Sequence, residues 1–171
     1  MRLLSKWKVL LQCSRAGMVR YTTKARRTIF FACDQAIQEM SNEVTPEYLL
    51  VGLLRADDSL RARLGLPGLP TIDSVRNQLS THRHQRQPAT SLVLSQAAKH
   101  AIVLATEERE HLSHKHTGTE HLLLGIIRSG SVAAKVLEQR ELTVDRVRQL
   151  LSRQNLGVES RNAESVFAFS R

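Results

Sequence analysis

The chain has 171 residues, a net charge of +9, 42% hydrophobic residues and only 4% aromatics. That length holds one compact domain, or two very small ones that lean on each other, with an aliphatic core of Leu, Val, Ile and Ala. No apolar run approaches the roughly 20 residues a membrane span needs, and Cys13 and Cys33 form no CxxC or zinc-ligand spacing, so a metal framework is not expected.

The charge is unevenly placed. Residues 1–27 carry eight basic residues and no acid, while the other 144 hold 17 bases against 16 acids. A nearly neutral body argues against nucleic-acid binding, which asks for a basic stripe on a folded face. Residues 1–18 form a basic arm, with Leu3, Leu4, Trp7, Leu10 and Leu11 at helical spacing. Three readings stay open for it: an organellar presequence, a short membrane-surface helix, or residues upstream of a true start at Met18. The expected location is cytoplasmic, or an organelle if the arm is a presequence.

A first helix is expected from Thr22 or Thr23 to about Met40, with Ala25, Ile29, Ala32 and Ala36 on one face. Cys33, next to Ala32, reads as a small buried hydrophobe rather than a nucleophile. Ser41-Asn42 breaks the helix. Thr45 is expected to cap the next one, TPEYLLVGLLR (45–55), with Pro46 in its first turn. Its nearly continuous apolar character predicts burial on most of its circumference. A short helix near Ser59–Leu64, a rigid GLPGLP turn (65–70) and a helix over about Ile72–Ser80 complete the first unit (19–80).

Residues 81–92 are polar and read as a linker, after which the pattern returns. GTEHLLLGIIR (118–128) matches TPEYLLVGLLR, and Ala98, Ile102, Ala105, Glu120, Gly125, Arg128 and Leu137 lie 73 positions after Ala25, Ile29, Ala32, Glu47, Gly52, Arg55 and Leu64. TVDRVRQLLS (143–152) repeats TIDSVRNQLS (71–80) at an offset of 72. Gly52 and Gly125 are mid-helix, where glycine costs about 1 kcal/mol against alanine. Their recurrence predicts a crossing helix too close for a side chain. The sequence therefore predicts an all-α fold: two tandem four-helix repeats, 19–80 and 93–153, packed as one pseudo-twofold eight-helix domain, with a loose tail at 154–171.

The doubled pattern, Y-T-x-K-A-R-R followed about twenty residues later by [TG]-[PT]-E-[YH]-L-L-x-G-[LI]-[LI]-R, resembles the double-repeat N-terminal domain of Clp-type unfoldases. HTGTEHLLLGIIRSGSVAAKVLEQ is especially similar to the ClpC branch. The resemblance covers roughly residues 19–153. Those unfoldases continue into ATPase modules with a G-x-x-x-x-G-K-[ST] loop; this sequence has none, so a stand-alone N-domain protein without ATP hydrolysis is expected.

What the resemblance implies is a non-enzymatic receptor for substrates, adaptors or Clp unfoldase or peptidase components. In the ClpC branch it also implies recognition of proteins phosphorylated on arginine. Carried onto this sequence, Glu47 and Glu120 would contact the guanidinium, and Thr22 and Ser95 would help hold the phosphate. The first copy reads TPEY where the family favours GTEH, and in the second copy Gln96-Ala97 replaces the usual threonine/proline–basic pair; of the two, the second site looks better kept. Each residue also has a plain structural role. A glutamate in a helix's first turn is stabilised by the helix dipole, Thr22 and Ser95 can be simple caps, and Arg55 and Arg128 suit helix C-termini. His111, His114, His116 and His121 spread over a helix end, a loop and a new helix, so no metal and no cofactor are expected.

Overall fold

The computed structural model describes residues 20–80 and 92–153. The arm at 1–18 and the tail at 154–171 lie outside the described residues, as does all of the 81–92 linker but its last residue, Leu92. Within the described residues the fold is almost entirely helical, as the aliphatic, 3.6-periodic pattern requires.

In the first half, helix α1 spans Thr23–Gln38, α2 Pro46–Ala56, α3 Leu60–Leu64 and α4 Ile72–Ser80. In the second, α5 spans Gln96–His111, α6 Thr119–Arg128, α7 Val132–Glu138, and α8 residues 144–153. Helix α1 begins where the Thr22 hydroxyl accepts the Ala25 N–H, and α5 where Ser95 does the same for Ala98. Thr45 holds the N-cap position of α2 but makes no side-chain cap there, contrary to expectation. Pro46 follows, where a missing N–H is harmless.

The two central helices, α2 and α6, are buried on most of their surface and pack against each other. Each also crosses the first helix of its own half at its glycine. A Cβ on Gly52 would strike the Thr28 carbonyl oxygen and lie 2.7 Å from Ala32 N. One on Gly125 would strike the Ala101 carbonyl oxygen and lie 2.8 Å from Ala105 N. The obstacles are backbone atoms, so no rotamer change relieves the clash. Leu49, Leu50, Leu53, Leu60 and Leu64 fill the core on one side, and Leu123, Leu124, Ile126, Leu137 and Leu142 on the other.

Arg55 and Arg128 do more than complement helix dipoles. Arg55 reaches Asp34 on α1 at 2.9 Å and lies over the Phe31 ring. Arg128 reaches Glu107 and Glu108 on α5 at 3.0 and 2.7 Å. Glu108 is fully buried and also holds Arg148 of α8 at 2.6 Å. The matching position, Gln35, accepts from Arg76 of α4 at 2.7 Å. Burial alone would raise the Glu108 carboxyl, but Arg148 and Arg128 outweigh it and hold it below the ordinary value.

The strand signal missing from the sequence is present in miniature. Glu43–Val44 (β1) and Val93–Leu94 (β2) form a two-residue parallel ladder, with Val44 opposite Leu94. A parallel bridge joins Tyr21 to Thr117. Tyr21 and Leu94 are equivalent in the two repeats, as are Val44 and Thr117, so the same bridge is made twice with the halves exchanged. Two-residue pairings carry no period-2 pattern, and a sequence reading cannot see them.

Replacing Gly52 or Gly125 by Ala should destabilise the protein by about 2 kcal/mol despite alanine's better helix propensity, because overpacking against backbone outweighs it. Thermal unfolding should show Tm lower by about 4–8 °C. An unchanged or raised Tm would contradict the crossing.

Candidate functional site

The exchanged bridges decide which predicted site residues meet. The Thr22 N–H donates to the Thr117 carbonyl at 3.0 Å, and Thr117 stands just before α6, which carries Glu120 in its first turn. The Ser95 N–H donates to the Val44 carbonyl at 3.0 Å, and Val44 stands just before α2, which carries Glu47. Each hydroxyl cap is thus tied to the glutamate-bearing helix of the other repeat. There are two such places, related by the pseudo-twofold: Thr22 with Glu120, and Ser95 with Glu47.

The two glutamates are oriented differently, and their N-caps explain it. At α6 the N-cap is Gly118, and the Glu120 carboxylate folds back over it, so close that a Cβ on Gly118 would collide with the carboxylate oxygens. At α2 the N-cap is Thr45, whose side chain takes that space. Glu47 instead reaches across the repeat boundary and accepts the Ala133 N–H in the first turn of α7 at 3.0 Å. Both glutamates therefore have structural work without a ligand. A carboxylate has further acceptor capacity beyond one N–H.

Around Glu120 lies a charge cluster that the sequence reading did not anticipate. Asp57, the C-cap of α2, has a fully buried side chain. It accepts from Lys24 of α1 at 2.6 Å, from Ser59 and the Thr119 hydroxyl at 2.7 Å each, and from Arg63 of α3 at 2.7 Å. Arg63 also donates to the Thr119 hydroxyl at 3.1 Å and reaches Glu120 at 3.4 Å. An acid at a helix C-terminus opposes the dipole, and this one is also desolvated. Burial alone would push its carboxyl up, yet Lys24, Thr119, Ser59 and Arg63 hold it well below the usual carboxylate range. The second repeat has none of this: Gly130, Ala97 and Val136 stand where the first has Asp57, Lys24 and Arg63. That departure from the repeat was the one signal in the sequence.

His121 and His114, 7 positions apart, are brought together, with His121 Nε2 2.8 Å from His114 Nδ1. His121 Nδ1 accepts the Gly118 N–H at 2.8 Å, which leaves the proton on Nε2 to be donated to His114. Burial pushes the His121 imidazole down to about 4; the Glu120 charge pulls the other way, and His114 and Arg109 add to the lowering. His114, Glu120 and His121 offer ligand atoms within 4.8 Å of one another. Both His121 nitrogens are already engaged, one to the backbone and one to His114, so its first task is capping α6. Tyr48 stands at the equivalent place in α2.

The fold is that of known Clp N-domains. The N-terminal domain of the caseinolytic protease associated chaperone ClpD from Arabidopsis thaliana superposes with a TM-score of 0.64 at 22% identity, covering 81% of this chain and 99% of that one. The model of the Clp repeat (R) N-terminal domain matches residues 20–140, and the chain belongs to that family. Among curated relatives, the chaperone protein ClpB of Oceanobacillus iheyensis is 30% identical over 135 residues, or 76% of this chain. The ATP-dependent Clp protease ATP-binding subunit ClpA homolog of Guillardia theta is 36% identical over 132 residues, or 75% of this chain. In both cases the matched part is 16% of the relative's length.

Thr117 is fully buried and its hydroxyl has no hydrogen-bond partner among the described residues, while the equivalent position is Val44. Thr117→Val should therefore stabilise by about 1 kcal/mol, read as a raised midpoint in urea with unchanged slope. The unfolded imidazole of His121 takes a proton near pH 6.5 and the folded one only near 4. Between those values the unfolded state binds more protons, so stability should fall as pH falls, by on the order of 2 kcal/mol. His121→Gln, neutral and able to make both hydrogen bonds, should flatten that part of the stability–pH curve; an unaltered slope would exclude His121 as its source.

Proposed function

We propose that the chain is a non-enzymatic protein-binding module of the Clp protease and chaperone system, acting as an adaptor, accessory or substrate-recognition subunit. The proposed binding places are the two junctions between the repeats, Thr22 with Glu120 and Ser95 with Glu47. The ligand class that suits them best is a protein phosphorylated on arginine. A carboxylate matches the guanidinium fork, and a hydroxyl with helix N-terminal N–H groups suits the attached phosphate.

The observation that carries this reading is the exchanged bridge. It sets a hydroxyl-capped helix start from one repeat against the glutamate-bearing helix start of the other, and does so twice. Two helix N-termini meeting at one place concentrate backbone donors and positive dipole ends, a setting for an anion. The family and the names of the two relatives described above, a chaperone and a Clp protease ATP-binding subunit homolog, point to the same system. A free-standing receptor for marked proteins, separate from any protease, would use the same residues.

Calorimetric titration of free phosphoarginine into the full chain should show binding, and the Glu47→Ala/Glu120→Ala double variant should lose it. Free arginine and inorganic phosphate should each bind at least about tenfold more weakly, since each offers only half of the recognised group. No binding of phosphoarginine to the intact chain would return both glutamates to purely structural roles.

A further inference from the structure

We propose that Arg63 is a resident guanidinium in the Glu120 junction, one that an incoming guanidinium must displace, so that the two junctions are unequal and the Glu47 junction fills first. The proposal rests on the reading of Glu47 and Glu120 as guanidinium acceptors.

Arg63 makes contacts of two strengths. Its guanidinium lies 2.7 Å from Asp57 and 3.1 Å from the Thr119 hydroxyl, but both terminal nitrogens are 3.4 Å from the Glu120 carboxylate. The contact to Glu120 is the long, weak one and the easiest to exchange. The side chain is 39% exposed and comes from a helix of five residues, so solvent already reaches it. Its departure would not strand the buried acid, because Asp57 keeps Lys24, Ser59 and Thr119. The usual obstacle to opening a buried ion pair, an unpaired buried charge, is therefore absent.

The other junction has no such occupant. Val136 takes the place of Arg63 and is buried, Gly130 takes that of Asp57, and the hydrogen bond of Glu47 is to a backbone N–H. Around Glu120, two carboxylates face two cations, Lys24 and Arg63. Among the described residues Glu47 has no ion-pair partner, so an incoming guanidinium reaches its carboxylate without displacing a resident one.

The experiment isolates the Glu120 junction. Phosphoarginine is titrated into full-length Glu47→Ala, alone and combined with Arg63→Ala or Arg63→Gln, each checked for a cooperative thermal transition. Arg63→Gln keeps a neutral donor for Asp57, and serves if the alanine variant does not fold. Either replacement should tighten binding, by up to about fivefold for an ion pair of this exposure. In Glu120→Ala, the same replacements should leave the remaining binding unchanged. Unchanged affinity in the Glu47→Ala background would overturn the proposal, and so would weaker affinity, which would make Arg63 a ligand for the phosphate. Binding absent from wild type and every variant would overturn the reading of the glutamates beneath it.

Discussion

Two main-chain hydrogen bonds set the arrangement of everything that surrounds them. Thr22 N–H to Thr117 C=O and Ser95 N–H to Val44 C=O each join the entry to a first helix with the entry to a central helix of the opposite repeat. Because they are backbone bonds, side-chain substitution leaves them in place. They fix which helix starts are joined, and hence which hydroxyl-capped start lies beside which glutamate-bearing helix. The crossings at Gly52 and Gly125 then fix the angle from within each repeat, backbone against backbone. Between them, these constraints leave the helix starts little freedom to move apart.

On that symmetric frame the side chains are not symmetric. At one junction Asp57 gathers Lys24, Ser59, Arg63 and Thr119, tying α1, the loop after α2, α3 and α6 into one polar knot. At the other, a single carboxylate caps α7. The difference begins with small choices at the helix starts. Glycine at 118 admits the Glu120 carboxylate and threonine at 45 excludes Glu47 from the same position. His121 reinforces it by taking the Gly118 N–H, which frees the Glu120 carboxylate to turn toward α3.

The repeat, the helix class and the close crossings were legible because each leaves a periodic mark. Gly52 and Gly125 recur at the same place in two apolar helices, and glycine there has no purpose except close approach. Helix starts at Thr22 and Ser95 were legible for the same reason: short polar side chains before a periodic run. What could not be read were contacts made across the repeats. Asp57 meets Thr119 over 62 residues of sequence, and Arg63 meets Glu120 over 57, with no local pattern to announce either. The β bridges, two residues or one residue long, were too short to leave alternation. Glu47 and Glu120 were found by their place in a motif, but their opposite orientations depend on neighbours at the N-cap whose effect is only visible in three dimensions.

The exchanged bridge has the form of an isologous contact: a surface meets its own copy, so that residue i touches j while j touches i. A lone repeat making this contact would have to pair with a second identical chain, and both junctions would then be chemically the same. Carrying the two copies on one polypeptide removes that obligation. Each junction can be substituted without altering its twin, and Asp57 with Arg63 on one side against Gly130 with Val136 on the other is such a divergence. Covalent linkage here separates geometry from chemistry: the duplicated backbone keeps the twofold, while the side chains no longer have to.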